Sequence, residues 1–430
     1  MEYVRSEAAA LSMGAEGPGS SSAGLRNGGP FLAFSTAVSS LLRAAFLVLA
    51  GRLLGPEPYA ELYAALALIF LLGTGLTPMG SAIAHYASLY EARGEAGKVV
   101  SLRREMPRRL ARWSLALLAL GILAALPTKS LLGFDSLLTP VLVAVALALT
   151  LQLSAPRGLL RGRQLFRSYG INLLAESLLR IAVALPLLLW SATASSGLLA
   201  YSLGGLGALA LGLAQTAPGD AEPVTADPRP LERMFGPLLV FALATASFQN
   251  LDMLFVKGFF PDAEAGLYAA AASVAKLTAL AFLPFSVANL PVFTAAFTRE
   301  GALGGRLLRA LGAYLCLAGA LVLALVLWGP SILRILFGDA YLGAAPWLVP
   351  LAAALALSFA AATIGQAFCA ARRYGFLWIL GGGLGVQVLA LVRWRDSLDA
   401  IPIVLLAVQG LVLAGLVAAY LIRPPRKAPG

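Results

Sequence analysis

Twelve apolar stretches, each about long enough to cross a bilayer, run through this chain and constrain its fold more than any other feature. A membrane-spanning helix needs roughly 20 mostly apolar residues. In lipid, only helices and closed barrels satisfy every backbone polar group. The sequence therefore predicts an all-α, polytopic membrane protein with twelve transmembrane helices. The predicted spans are 31–54, 62–84, 110–127, 137–159, 169–190, 195–215, 234–257, 264–290, 307–329, 345–370, 376–392 and 400–422.

The composition agrees with this class and argues against an enzyme. Hydrophobic residues make up 59% of the chain and charged residues 12%, whereas soluble domains are about half apolar and a quarter charged. The loops between the predicted spans are too short for a catalytic domain, and one His and two Cys offer no metal-ligand spacing. We expect no enzymatic activity, no metal site and no cofactor.

A segment that follows the first span returns in the second half of the chain. PEPYAELYAA at residues 56–65 is matched 205 positions later by PDAEAGLYAA at residues 261–270. At the same offset Arg52 falls on Lys257. Several matches at one offset indicate a duplication, and internal repeats of this kind are common among transporters.

The duplication predicts two pseudo-symmetric lobes of six helices each. The match continues far from the first segment, since LLG at 131–133 and LFG at 336–338 keep the offset of 205. An even number of helices returns each lobe to its starting side, so the lobes are expected to be parallel repeats about an axis along the membrane normal. The predicted units are a mobile N-terminal tail (1–30), an N-lobe (31–215), a linker (216–233), a C-lobe (234–422) and a C-terminal tail (423–430).

The distribution of basic residues predicts the orientation. Of the 32 Lys and Arg residues, 23 fall on the side that holds both termini and six on the opposite side, with seven of the 23 between residues 93 and 112. By the positive-inside rule, both termini and the linker are cytoplasmic. The net charge of +11 then reflects topology and attraction to anionic membrane lipids, and it does not indicate a nucleic-acid partner.

Polar residues inside the spans are the candidate functional residues. Arg43 lies near the middle of the first span, where a charge costs about 2.5 to 3.5 kcal/mol on insertion scales. It should therefore face an aqueous cavity or a partner. Two interpretations stay open: Arg43 binds an anion, or it forms a structural pair with Glu176 or Asp252.

The fifth span carries a polar stripe. Tyr169, Asn172, Glu176 and Arg180 are spaced by three, four and four residues, which places them on one face of a helix. A polar face in lipid should point inward, either as cavity lining or as a link between helices. Glu176 and Arg180 are also an i,i+4 pair that can neutralise itself.

Four more candidates are Asp252, Lys276 and Lys257 of the second half and Arg52 of the first. Asp252 lies in the seventh span and Lys276 in the eighth; Lys276 is either a cationic substrate contact or the partner of Asp252. Arg52 and Lys257 lie at the outer ends of the first and seventh spans. They either snorkel to lipid headgroups or meet at an outer gate, where two like charges would repel.

The chain resembles a known family in four segments: RLLGPEPYAELYAA, SYGINLLAESLLR, NLDMLFVKGFFPDAEAGLYAAAASVAK and ILFGDAYLGAAPWLVPLAAAL. These look like the polysaccharide-biosynthesis flippases of the multidrug/oligosaccharidyl-lipid/polysaccharide (MOP) exporter superfamily. The resemblance covers nearly the whole chain from about residue 31. It implies two lobes around a central cavity that opens alternately to the two sides of the bacterial inner membrane.

The resemblance also implies a substrate and partners. The family carries undecaprenyl-diphosphate-linked oligosaccharide for O-antigen, capsule or exopolysaccharide, alongside polymerases and glycosyltransferases of the same pathway. Arg43 and Arg180, with Lys276 from the C-lobe, are the residues here that match cavity cations facing the diphosphate. Twelve helices argue against a lipid II flippase, which typically has fourteen.

The alternative is a drug exporter of the MATE branch. That branch uses cavity carboxylates with a coupling ion, Na⁺ or H⁺, and Glu176 and Asp252 are available for this role. Three basic against two acidic candidates give the cavity a small positive balance, which favours an anionic glycan lipid.

Overall fold

The computed structural model describes residues 20–216, 235–280, 293 and 304–422. Within these ranges the chain is helical and contains no strand. Fourteen α-helices occur there: α1 (Ser20–Leu54), α2 (Pro56–Thr74), α3 (Thr77–Ala92), α4 (Ala96–Leu123), α5 (Ala125–Leu132), α6 (Leu138–Gly162), α7 (Phe166–Trp190), α8 (Ala194–Gln215), α9 (Phe235–Phe259), α10 (Asp262–Leu280), α11 (Gly304–Phe337), α12 (Ala345–Ala370), α13 (Leu377–Arg393) and α14 (Ala400–Ile422).

The membrane-spanning character of the helices is confirmed, but the number twelve is not. In the described part of the chain, ten helical stretches are long and apolar enough to cross a membrane, or up to eleven if α4 and α5, bent by 52° at their junction, count as one span. The predicted eighth span, 264–290, corresponds to α10, which is described only as far as Leu280.

Two predicted boundaries differ from the structure. α1 begins at Ser20, so the predicted N-terminal tail, 1–30, overlaps a helix that passes through Pro30. The predicted second span, 62–84, is instead the pair α2 and α3, which together extend over 56–92 with a break after Thr74. The linker from residue 217 to 233 and the tail 423–430 lie outside the described residues.

The early start of α2 has a local cause. Pro56 stands in the first turn, where proline is favoured because its fixed φ suits a helix and its missing N–H is not needed. Glu61 follows and is buried, although a carboxylate at this position argues against a membrane span. The structure satisfies it: the Thr139 hydroxyl and the backbone N–H of Asp135 both donate to the Glu61 carboxylate.

The repeated segments lie where the two halves of the chain meet. In the first half, α7 packs on α1 and α8, and α6 packs on α3, α4 and α8; in the second half, α12 packs on α10, α11 and α14. The helices that carry the repeat, α2 and α10, pack against each other, and α2 also packs on α9. Tyr59, Tyr63 and Tyr268 are fully buried at this junction, and the Tyr59 hydroxyl lies 2.6 Å from the Ser273 hydroxyl.

Two helix ends show the repeat in three dimensions. α5 ends at Gly133 (φ 59°) and α11 at Gly338 (φ 96°), and these glycines are equivalent at the offset of 205. Both have a positive φ, which glycine adopts without strain, and Gly133 has the αL conformation that commonly ends a helix. Equivalent positions in the two halves therefore end equivalent helices on the same face of the protein.

Candidate substrate cavity

A cavity of about 370 Å³ lies in the first half of the protein, among α1, α2, α3, α6, α7 and α8. Its volume is in the range of small-molecule binding sites, roughly 300 to 1,000 Å³. Its walls are largely apolar, but four guanidinium groups and one carboxylate face it, which gives a formal charge of +3. The charged lining residues are Arg43, Arg157, Arg161, Arg180 and Glu176.

Glu176 is the centre of an ionic network in the cavity wall. Its Oε2 accepts a 2.5 Å bond from Arg157 of α6, and its Oε1 accepts one from Arg180, one turn further along α7. The Glu176 side chain is 9% exposed and that of Arg180 3% exposed. The Glu176 carboxylate thus holds the guanidinium groups of Arg157 and Arg180 in fixed positions. Pairing of this kind is expected for charges buried at membrane depth.

Two of the cavity arginines, Arg180 and Arg161, form cation–π contacts with tyrosine rings. The Arg180 guanidinium lies 3.9 Å from the ring centre of Tyr201 on α8, and that of Arg161 lies 5.8 Å from the ring centre of Tyr169. Cation–π contacts of this kind attract the cation while leaving its N–H groups free to donate. The Nε atoms of Arg161 and Arg180 are buried and have no hydrogen-bond acceptor in the described part of the protein.

Arg43 is the most available cation of the four. Its side chain is exposed and lines the cavity from α1. Among the described residues it forms no ion pair, although it lies within electrostatic range of Glu176. Glu176 therefore pairs with Arg157 and Arg180 instead of with Arg43. The charge of Arg43 is left facing the cavity.

Asn172 does not line the cavity. It is fully buried; its Oδ1 accepts a 2.9 Å bond from Arg157 Nε, and its Nδ2 donates to the Ala208 carbonyl. The helical spacing placed Asn172 on the same face as Glu176, but Arg157 and α8 cover that turn of α7. Asn172 therefore positions Arg157, and we do not place it among the substrate contacts.

Arg157 and Arg161 are charged cavity-lining residues that sequence reasoning missed. Both were counted among the 23 basic residues of the cytoplasmic side, although Arg157 falls within the predicted span 137–159. In the structure α6 continues to Gly162 and both side chains line the cavity. Their i,i+4 spacing on a continuing helical pattern was the available signal. Pro156 obscured it, since a proline inside a helical pattern usually indicates a helix end.

Asp252 and Lys276 belong to a separate crevice in the second half. Its volume is about 20 Å³, which is room for a single water molecule. Lys276 donates to Asn250 Oδ1 at 2.8 Å, and Asp252 accepts a 2.7 Å bond from the Tyr268 hydroxyl. Within the described residues no ion pair joins Lys276 to Asp252. The structure thus separates the candidate charges: the large cavity has four arginines and one glutamate, and Asp252 and Lys276 line the crevice.

Arg52 and Lys257 also differ from the expectation. Each binds a helix end of the other half of the chain: Arg52 donates to the carbonyls of Leu336 and Ile335, and Lys257 donates to that of Gly133. The Lys257 side chain is 1% exposed, so it does not snorkel to headgroups. The predicted repulsion is absent from these contacts because backbone carbonyls accept both cations.

Comparison with known proteins identifies the sequence family. The family model described as "Polysaccharide biosynthesis protein" matches residues 25–297, which confirms the resemblance stated from the sequence. No curated protein matches the chain.

Solved structures show the same fold at low sequence identity. A MATE-family multidrug resistance transporter of the MOP superfamily, in an inward-facing conformation, has TM-score 0.70 and 14% identity over 89% of this chain and 95% of that one. The lipid II flippase MurJ, inward closed, has TM-score 0.66 and 15% identity over 91% and 87%. A MOP superfamily transporter from Pyrococcus furiosus, described by a binding pocket of reverse polarity, has TM-score 0.62 and 14% identity over 91% and 94%. The predicted MOP-type fold is confirmed.

Proposed function

We propose that this chain, which belongs to the polysaccharide biosynthesis protein family, is a flippase that moves a lipid-linked oligosaccharide across the bacterial inner membrane by alternating access. The observation that carries the proposal is the charge of the cavity, with four guanidinium groups against one carboxylate. A cavity of this sign favours an anionic ligand and disfavours a cation. A polyprenyl diphosphate supplies the anion, and its lipid chain can remain in the bilayer.

The four arginines divide into two roles. Arg157 and Arg180 are held by Glu176 and shape the wall of the site. Arg43 and Arg161, which form no ion pair among the described residues, present unneutralised charge to the cavity. Guanidinium groups bind phosphate oxygens through paired, charge-assisted hydrogen bonds, so we assign Arg43 and Arg161 as the diphosphate contacts.

A cation exporter is the second candidate, and the buried carboxylate of Asp252 in the crevice of the second half is what favours it. Asp252 has a buried Oδ1 without a hydrogen-bond partner in the described structure, and such a group can bind a proton or a small cation. Within the proposed flippase we therefore assign Asp252 to the binding of a coupling ion, Na⁺ or H⁺, and not to the binding of the glycan lipid. Lys276, 2.8 Å from Asn250 Oδ1 beside it, adds a positive charge that disfavours an organic cation there.

Binding measurements on the protein in lipid nanodiscs test the proposal. A fluorescent short-chain polyprenyl diphosphate should bind more tightly than the matching monophosphate, because the second phosphate adds charge and acceptor oxygens. Tetraphenylphosphonium should not compete with it. Competition by this cation, or equal affinity for both phosphates, would favour the exporter.

Labelling of single cysteines in intact cells tests the orientation. With Cys316, the exposed native cysteine, replaced by alanine, a membrane-impermeant maleimide should reach Ala192→Cys in the loop between α7 and α8. It should miss Lys98→Cys at the start of α4, since the basic cluster between residues 93 and 112 is expected on the cytoplasmic side. The opposite pattern would reverse the proposed topology.

A further inference from the structure

We propose that two crossed latches, one from each half of the chain, hold the outer face of this protein closed. The outer face is the one formed by the C-terminal ends of α1, α5, α9 and α11. In the first latch Arg52 of α1 holds the end of α11, and in the second Lys257 of α9 holds the end of α5. The role of the latches in transport rests on the proposed function, but their effect on the outer face does not.

The two latches use equivalent cations and equivalent helix ends, although the acceptor carbonyls differ. Arg52 Nε donates to the Leu336 carbonyl at 2.7 Å, and its Nη2 donates to the Ile335 carbonyl. Lys257 Nζ donates to the Gly133 carbonyl at 2.8 Å and also binds Asp262. Arg52 and Lys257 are 205 residues apart. Arg52 meets the last turn of α11, which ends before Gly338, and Lys257 meets Gly133, the equivalent glycine at the end of α5.

A helix end is a suitable receptor for each cation. The last four carbonyls of an α-helix have no partner within the helix, and the helix dipole places partial negative charge there. A Lys or Arg side chain from another helix satisfies both. A charged donor forms stronger hydrogen bonds than a neutral one, so two latches can decide whether the face opens.

Close packing beside each cation brings the helix end within reach. Gly51 precedes Arg52, and a Cβ atom at Gly51 would overlap the Phe337 ring of α11. Gly258 follows Lys257, and a Cβ atom there would lie 3.1 Å from the Leu131 carbonyl of α5. A side chain at Gly51 would displace the Phe337 ring, and one at Gly258 would crowd the end of α5.

Further contacts fix the receptors themselves. The Tyr341 hydroxyl donates to the Gly51 carbonyl at 2.7 Å, which ties the segment after α11 to α1. Glu61 accepts bonds from Asp135 N and the Thr139 hydroxyl and so holds the loop that follows Gly133. Because these receptors are fixed, separating the two halves at this face would break both latches.

Distance measurements between spin labels test the latches. The labels are placed at Ser130→Cys on α5 and Ala340→Cys after α11, both exposed on the outer face, in a Cys316→Ala background in nanodiscs without substrate. Arg52→Ala and Lys257→Ala should each raise the ratio of long to short distances about tenfold, since 1.4 kcal/mol corresponds to a factor of ten. The double variant should show the product of the two effects.

Arg334→Ala is the matched control. It removes a cation from the same face, but the Arg334 partner, Asp339, belongs to the same half of the chain, so the distances should stay unchanged. Arg52→Lys, which keeps the charge and one of the two bonds, should give a smaller shift and covers the case in which the alanine variant does not fold.

Two outcomes would overturn the latches: a distance distribution in the Arg52→Ala, Lys257→Ala double variant equal to that of the parent, or the same lengthening in Arg334→Ala. The measurement contains no glycan lipid. A failure of the latches is therefore distinguishable from a failure of the proposed function, which is decided by the binding of polyprenyl diphosphate.

Discussion

Arg43→Ala should abolish glycan export while the protein stays at near-normal abundance in the membrane. Arg43 lines the cavity and forms no ion pair within the described residues, so its removal leaves no buried partner unsatisfied. It would remove the charge-assisted bonds proposed between Arg43 and the diphosphate, worth about 1.5 to 3 kcal/mol each, or roughly tenfold to a hundredfold in affinity. Surface polysaccharide and protein abundance are measured in the same cells.

Two further variants make this result specific. Arg43→Lys should restore part of the export, because the charge survives while the paired geometry of the guanidinium does not. Arg108→Ala, which removes an exposed arginine of α4 outside the cavity, should leave export unchanged. Normal export by Arg43→Ala would remove Arg43 from the substrate site, and loss of the protein itself would make Arg43 a structural residue.

The hydropathy pattern and the internal repeat were sufficient to predict the fold. Apolar stretches of bilayer length leave helices as the simplest solution, and the offset of 205 correctly paired the helix ends at Gly133 and Gly338. Boundaries were harder to predict where a charge is satisfied inside the protein. The predicted second span, 62–84, leaves Glu61 outside, and only the folded chain brings Thr139 to it.

The site was predictable where its geometry is local. The spacing of Glu176 and Arg180 on one helix was enough to predict their ion pair. Arg157 could not be placed in the same way, because its contact with Glu176 joins α6 to α7 and depends on how these helices pack. The receptors of Arg52 and Lys257 were beyond sequence reasoning for another reason: they are backbone carbonyls, which every residue has.

Glu176→Gln should lower the stability of the protein more than the other single substitutions considered. The carboxylate of Glu176 is the acceptor for both Arg157 and Arg180, and a neutral amide cannot balance two guanidinium charges. Breaking a buried ion pair by removing one partner costs about 3 to 5 kcal/mol. The melting temperature of the purified protein, followed by the fluorescence of its tryptophans, should fall clearly below that of the parent.

Glu95→Gln is the matched control, because Glu95 pairs with Lys98 at a partly exposed position where an ion pair contributes about 0 to 1 kcal/mol. Its melting temperature should remain close to that of the parent.

A second variant separates charge balance from packing. Arg157→Gln added to Glu176→Gln removes one of the two stranded cations, so it should recover part of the lost stability. If the melting temperature of Glu176→Gln equals that of the parent, the Glu176 carboxylate does not stabilise the cavity wall by neutralising Arg157 and Arg180. These two arginines would then be available, like Arg43, to bind an anionic substrate.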